Sequence, residues 1–305
     1  MKLTRAVSVI ALMVAAQGAL ADCDKVIMSD VGWTDITTTT ATARHVLEAL
    51  GYEVDVKVLS VPVTFASLES DDVDIFLGNW MPAQSGAIQP YLDKGEIEAI
   101  NTNLTGTKYT LAVPAYAWEA GLQSYADIAK FAKELDSKIY GIEPGNEGNA
   151  YLVSLTEEDK FGLKGFKIVE SSEQGMLSQV ARAYKREEPI VFLGWEPHPM
   201  NSNFELKYLP GGEDFFGGEG IVQTVTRKGY AAECPNLGKL FTNMDFSLPM
   251  ENKIMGQILD DGADPAEATE AWLKENPDVL TVWLDGVTTR DGGDAMAAVK
   301  GALGL

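Results

Sequence analysis

Two stretches of the chain place a tryptophan and then a proline directly after a short apolar run. The first is FLGNWMP at residues 76–82, and the second is FLGWEP at residues 192–197. Each apolar run predicts a buried strand, and the glycine that follows predicts its end. Both tryptophans would then lie at the carboxyl edge of a sheet, where open α/β sheets bind ligands. We therefore predict that two such edges face each other across a cleft.

A third tryptophan, Trp33, also follows a predicted strand, within the segment VGWTD at residues 31–35. A single tryptophan is more often part of the core, but Trp33, Trp80 and Trp195 occupy equivalent positions beside Gly or Pro. Several electron-rich ring faces around one space suit a cation that has no N–H donors, such as a quaternary ammonium group. The remaining tryptophans fall in or beside predicted helices and are assigned to the core: Trp118, Trp272 and Trp283.

The sequence lacks the usual signatures of an enzyme. It contains no Gly-x-Ser-x-Gly, no His-Glu-x-x-His, no Walker loop and no dinucleotide-binding glycine motif after the first strand. The two histidines, His45 and His198, give little acid–base capacity near neutral pH, and both are assigned structural roles. Paired carboxylates could still act on glycosides, but no spacing selects a pair. We expect no enzymatic activity, no cofactor and no metal site.

The amino terminus has the form of a secretory signal peptide. Lys2 and Arg5 precede an apolar run at residues 6–16, and a small-x-small cleavage site ends at Ala21. The apolar run is too short to be a membrane anchor. Lipid attachment at Cys23, close to the cleavage site, is an alternative that the acidic Asp22 disfavours. We predict residues 1–21 to be a cleaved signal peptide and the mature protein to be free in the periplasm of a Gram-negative bacterium.

The chain is acidic, with a formal net charge of −21 that becomes more negative once the basic leader is removed. This charge argues against nucleic acid and anionic membrane surfaces as partners. No later segment is apolar enough to cross a membrane, so we expect no stable membrane insertion.

Both cysteines, Cys23 and Cys234, lie after the predicted cleavage site. An isolated pair in an exported protein predicts one disulfide, which here closes a very long loop. A metal site is a poor alternative, because the sequence has no Cys-x-x-Cys and few histidines.

The order of predicted elements indicates two α/β units. A βαβαβ pattern over residues 25–77 predicts a doubly wound parallel sheet, and a second α/β run follows Pro114. A strand at residues 221–227 then leads back to late helices that complete the first unit. We predict lobe 1 at residues 22–112 plus 222–305 and lobe 2 at residues 113–221, each a mostly parallel sheet flanked by helices. Two hinge crossings, near Val113 and Ile221, join them.

Two helix starts carry specific local predictions. The first long helix is placed at residues 36–50, and the threonine run at residues 37–40 suits its beginning, where hydroxyls can satisfy free amides. A later helix at residues 124–135 begins with the capping-box pattern of Ser124 and Asp127.

The segments at residues 31–35, 78–82 and 194–197, together with the signal peptide and the duplicated lobes, resemble the glycine betaine/choline substrate-binding proteins of ABC importers. The likeness is greatest to the periplasmic choline-binding members and covers essentially the whole mature chain. It implies a two-lobed periplasmic binding protein fold of type II-like topology. It also implies delivery of a solute to the permease subunits of an importer, and we expect the protein to be a monomer.

The resemblance also implies a ligand site. In that family an aromatic box holds the trimethylammonium group, and the matching positions here are Trp33, Trp80, Tyr109 and Trp195. In the choline-binding members a carboxylate and an amide bind the alcohol end, which correspond here to Asp35 and Asn146.

The identity of the ligand depends on Asp35. A hydroxyl can donate to this carboxylate and accept from the Asn146 amide, which favours choline, whereas the carboxylate of glycine betaine or proline betaine would be repelled. Alternatively, Asp35 caps the first helix and Asn146 is only a turn residue. An exported enzyme that acts on choline compounds is the rival from a different class, but no nucleophile–base pair supports it.

Overall fold

The computed structural model describes residues 23–305, so the predicted signal peptide lies outside the described residues. The strands of the described chain are β1 (Lys25–Asp30), β2 (Glu53–Val58), β3 (Ile75–Met81), β4 (Ile97–Pro114), β5 (Lys138–Tyr140), β6 (Lys167–Val169), β7 (Phe192–Glu196), β8 (Leu206–Tyr208) and β9 (Gly220–Arg227). Its α-helices are α1 (Thr34–Ala49), α2 (Val61–Glu69), α3 (Ser85–Lys94), α4 (Ala115–Glu119), α5 (Tyr125–Ile128), α6 (Glu147–Glu157), α7 (Glu173–Lys185), α8 (Met200–Asn203), α9 (Glu213–Phe216), α10 (Tyr230–Glu233), α11 (Pro235–Asn243), α12 (Leu248–Leu259), α13 (Pro265–Glu275), α14 (Val279–Trp283) and α15 (Ala295–Leu303).

The strands form one continuous, mixed sheet in the order β2-β1-β3-β9-β4-β7-β5-β6, and β8 pairs with β4. The α/β, two-unit class is confirmed, because β1–β3 and β5–β7 form two parallel groups. The sheet is less parallel than predicted, since β9 and β4 run antiparallel to their neighbours and join the two groups. Pairing between strands distant in sequence decides this direction, and local patterns do not reveal it.

Strand β4 passes from one group of strands to the other. Its first part pairs with β9 as far as Thr107, and its second part pairs with β7 from Lys108 onward. Gly106 lies at a register shift just before this change and has a φ of +77°. A residue without Cβ adopts this conformation at little cost, so the chain can bend there without ending the strand.

The sequence predicted that the two tryptophan-bearing strands end at their glycines, but both strands continue past them. Trp80 is the penultimate residue of β3 and Trp195 is the penultimate residue of β7, and both are paired, with Val222 and Tyr109 respectively. The glycine instead permits close packing, because a Cβ at Gly194 would lie 2.8 Å from the Cβ of Ala112. The prediction that these rings lie at the carboxyl ends of their strands is nevertheless correct.

Helix α1 begins two residues earlier than predicted, and its threonines do not cap it. The N-cap residue is Trp33, which makes no side-chain capping bond. The threonine hydroxyls donate elsewhere: that of Thr37 to Asp30 Oδ2 at 2.8 Å and that of Thr42 to the Thr38 carbonyl at 2.8 Å. The threonines at positions 38, 39, 40 and 42 are buried within the fold, where α1 packs against α12 and α13, so tertiary packing has overridden their low helix propensity.

The predicted helix at residues 124–135 is shorter than expected. The α-helical part is only α5, followed by one 3₁₀ turn at Ala129–Phe131. The capping box is incomplete, since the Ser124 hydroxyl donates to the Asp127 carboxylate at 2.7 Å and accepts no amide.

The predicted disulfide between Cys23 and Cys234 is confirmed, with 5.7 Å between the two Cα atoms. It fixes the start of β1 to the region between α10 and α11. Within residues 23–305, no helix combines the length and the apolar character needed to cross a bilayer.

Candidate functional site

Four aromatic rings line one pocket. These rings belong to the residues predicted from the sequence: Trp33, Trp80, Tyr109 and Trp195. Tyr109 stands between two tryptophans, with its ring centroid 6.2 Å from that of Trp80 and 6.4 Å from that of Trp195, edge to face in each case. Phe216 supports Tyr109 from the side at 4.8 Å.

The rings come from both groups of strands. Trp33 ends the loop after β1, and Trp80 lies near the end of β3 in the same parallel group. Trp195 lies on β7, and its register partner across the antiparallel ladder is Tyr109 on β4. Each ring is therefore fixed by backbone pairing or by a helix start, and the box is complete only when the two groups of strands face each other.

Asp35 is a wholly buried carboxyl group in the first turn of α1, and it lines the same pocket. Its Oδ2 accepts a hydrogen bond from Trp80 Nε1 at 2.9 Å, while Oδ1 has no partner within the described chain. The N-cap residue is Trp33, so Asp35 does not occupy the capping position, although the backbone amides of Asp35 and Ile36 lie close enough to lower the pKa of its carboxyl group. Burial, reinforced by the neighbouring Glu173, raises the pKa of Asp35 to about 8 despite the bond from Trp80.

Asn146 caps helix α6 and also lines the pocket. A structural role in the turn and a role in ligand binding are therefore compatible for this residue. Its Oδ1 accepts hydrogen bonds from the Tyr109 hydroxyl at 2.8 Å and from the Asn149 amide at 3.2 Å. Since the oxygen is engaged in this way, the Nδ2 group is the side of the amide left to donate toward a ligand.

Four further residues line the pocket and were not predicted: Ala83, Gln84, Ile142 and Glu147. The Gln84 side chain is 1% exposed, and neither its Oε1 nor its Nε2 has a hydrogen-bond partner within residues 23–305. Glu147 also has an unpartnered Oε1, and burial raises its pKa to about 7. Glu147 directly follows the predicted site residue Asn146, so its position could have been found, whereas nothing local marks Gln84.

The lining offers a site for a cation with one polar end. Four aromatic rings line it, and the faces of such rings attract cations, while Asp35 and Glu147 add carboxyl groups. The lining contains no Lys or Arg that could pair with an anion. Among the described residues, no group of three or more His, Cys, Asp or Glu is arranged to hold a metal ion.

Comparison with known proteins places this pocket in a family context. The substrate-binding domain of ABC-type glycine betaine transport systems matches residues 24–275. An ABC-transporter choline-binding protein in complex with choline is 59% identical, with a TM-score of 0.90 over 92% of this chain and 98% of that chain. An ABC-transporter choline-binding protein in an unliganded semi-closed conformation is 60% identical, with a TM-score of 0.85 over 93% of this chain and 99% of that one.

A more distant structure, lactococcal OpuAC in its closed conformation with glycine betaine, is 25% identical, with a TM-score of 0.76 over 85% of this chain and 98% of that chain. The family match spans most of the chain, and the high structural similarity extends over both groups of strands. This chain therefore belongs to the substrate-binding proteins of ABC-type glycine betaine transport systems.

Proposed function

We propose that this protein binds choline in the periplasm and delivers it to the permease of an ABC importer without altering it chemically. The observation that carries this proposal is the convergence of the four rings and the unpaired Asp35 Oδ1 on one pocket. The rings would hold the trimethylammonium group, and the hydroxyl would donate to Asp35 and accept from Asn146 Nδ2. A relative with 59% identity has been solved with choline bound, which supports the same ligand here.

Glycine betaine is the alternative ligand within the same family, and the lining disfavours it. Its carboxylate could accept hydrogen bonds from Asn146 Nδ2 and Gln84 Nε2, but it would also lie beside the carboxyl groups of Asp35 and Glu147. Choline carries an uncompensated positive charge, which gains from the same two groups. The pocket therefore favours a cationic ligand over a zwitterionic one.

We further propose that the protein closes by rotation of two lobes about the strands that join them. The change of pairing partner between Thr107 and Lys108 supports a first crossing there, slightly before the predicted boundary near Val113. The second crossing would precede β9, near Gly220. A cleaved leader at residues 1–21 and a monomeric mature chain that docks on a permease complete the proposal.

Calorimetric titration of the mature protein with choline, glycine betaine and acetylcholine tests the ligand. We expect choline to bind at least about tenfold more tightly than glycine betaine, because one charged contact of this kind contributes more than about 1.4 kcal/mol. Equal or tighter binding of glycine betaine would assign the protein to that ligand. Proton NMR of the same mixtures after prolonged incubation should show unchanged ligands, and a new product would instead indicate an enzyme.

Choline affinity should depend on pH through Asp35. Its pKa of about 8 means that the closed pocket holds the carboxyl protonated at neutral pH, whereas a bound cation favours the ionised form. Binding should therefore release a proton, and affinity should rise as the pH increases from about 6 to about 8 and level off above that. Titrations at pH 7 in buffers of different ionisation enthalpy measure the proton release.

Glu147, with a raised pKa of about 7, contributes in the same direction, so Asp35→Asn should remove only part of the pH dependence. Affinity that stays constant from pH 6 to 9 in the native protein would contradict this prediction.

A further inference from the structure

A second buried carboxylate, Glu173, lies behind the aromatic box and does not line it. Glu173 is the first residue of α7, and its side chain is 0% exposed. Its Oε2 accepts a hydrogen bond from the Thr34 amide at 2.8 Å, and its Oε1 accepts from the Thr34 hydroxyl at 2.8 Å. His198 Nε2 lies 3.0 Å from the same Oε1. One carboxylate thus binds three polar groups.

The geometry around His198 fixes which partner donates. The Nδ1 atom of His198 accepts a hydrogen bond from the Met200 amide at 2.9 Å, so the ring hydrogen is on Nε2 and points to Glu173. The Thr34 amide can only donate as well. Glu173 therefore satisfies three donors at once, which requires a group that only accepts. A glutamine of the same shape would turn its NH₂ group toward one of these donors.

These bonds connect the two groups of strands. Thr34 begins α1, which follows β1, whereas Glu173 follows β6 and His198 follows β7. The two bonds from Thr34 consequently cross between the lobes, and the bond from His198 stays within one. Opening the lobes would break both crossing bonds and expose Glu173 to water.

The same residues also support two walls of the box. Thr34 directly follows Trp33, and the His198 ring packs edge to face against Trp195 with 4.8 Å between ring centroids. Trp33 and Trp195 come from different groups of strands. Glu173 thus joins the backbone beside one wall to the ring that supports the opposite wall.

We propose that Glu173, with Thr34 and His198, is a latch that stabilises the closed arrangement through protein contacts alone and positions Trp33 and Trp195 around the ligand. Glu173 is a positioning residue, because it acts through its neighbours and is absent from the pocket lining. The effect of the latch on ligand release rests on the proposed function, whereas the effect of the latch on closure does not.

Glu173→Gln tests the latch with two measurements. Small-angle X-ray scattering of the protein without choline should show a larger radius of gyration than for the native chain, because closed molecules become rarer. Stopped-flow tryptophan fluorescence should show choline dissociating about tenfold faster with a nearly unchanged association rate, since only the closed state loses hydrogen bonds. Thr34→Val, which retains the amide bond and removes the hydroxyl bond, should give a smaller change in the same direction and serves if Glu173→Gln does not fold.

The matched control is Asn203→Ala. Asn203 on α8 donates to Asp260 at the end of α12 at 2.8 Å, and this contact also crosses the cleft, but it is exposed to water. Asn203→Ala should leave the radius of gyration unchanged, and it should change the dissociation rate by less than about twofold, because exposed contacts contribute little. If choline binds to folded Glu173→Gln with native closure and release, the latch is wrong and the proposed function stands. If choline fails to bind to the native protein while scattering still separates the variants, the proposed function is wrong and the latch stands.

Discussion

Trp195→Ala is expected to weaken choline binding by about 2 kcal/mol or more, roughly a thirtyfold rise in Kd, because a desolvated ring face contributes on this scale. The ring lines the pocket and is only 4% exposed, so a ligand loses both its cation–π contact and the exclusion of water. Trp195→Phe should recover most of the affinity, since a smaller ring still presents a π face. Calorimetric titration of the three proteins measures the series.

Trp272→Ala is the matched control for this series. Trp272 is a partly buried residue of α13 and does not line the pocket, so its removal should leave choline affinity unchanged. Thermal unfolding without ligand should be recorded for both alanine variants to separate lost affinity from lost stability. If Trp195→Ala binds choline with native affinity, the ring is not a wall of the cation site.

The positions of the box residues could be predicted because they are coupled to local sequence signals. Trp80 and Trp195 follow short apolar runs, and the carboxyl end of a strand is a place that local patterns identify. Trp33 follows the first predicted strand, whereas Asn146 was assigned from the family resemblance, and the structure shows that it caps α6. Tyr109 came from the family resemblance, and its register pairing with Trp195 explains why it lies at the box.

Pairing between distant strands could not be predicted in the same way. The antiparallel run of β9 between β3 and β4 depends on contacts across more than a hundred residues, and no local pattern encodes it. The assignment of the glycines as strand ends failed for the same reason. Gly194 lies inside β7 because its missing side chain admits Ala112 from the neighbouring strand.

Buried polar partners were the other part that sequence reasoning missed. Gln84, Glu173 and His198 carry no motif, and each is recognisable only from what surrounds it in space. His198 was assigned a structural role, and its Nδ1 accepts from the Met200 amide, but its Nε2 also donates to Glu173 on another element. The contact with Met200 is local in sequence and could be expected from the turn. The contact with Glu173 depends on the fold, and the sequence alone gives no evidence for it.

Asp35→Asn is expected to reduce choline affinity by about 2 kcal/mol, because a buried hydrogen bond to a charged group contributes on this scale. The Asn oxygen can still accept from Trp80 Nε1, as Asp35 Oδ2 does now at 2.9 Å. The NH₂ group of the asparagine then replaces Oδ1. This group is a donor, so it repels the choline hydroxyl hydrogen that Oδ1 would accept. Glycine betaine should lose much less affinity or gain some, since its carboxylate can accept a hydrogen bond from the new NH₂ group. Titration of both proteins with both ligands measures the change in preference.

Glu251→Gln is the matched control, because it replaces a second buried carboxyl group near Asp35 without touching the pocket lining. Burial raises the pKa of Glu251 well above its usual range, which favours the neutral form that glutamine imitates. Its choline affinity should therefore stay near the native value. Equal losses for choline and glycine betaine in Asp35→Asn would mean that Asp35 serves only to hold Trp80. The preference for choline would then have to come from other polar groups of the lining, such as Glu147 and Gln84, whose side chains also have unpaired atoms.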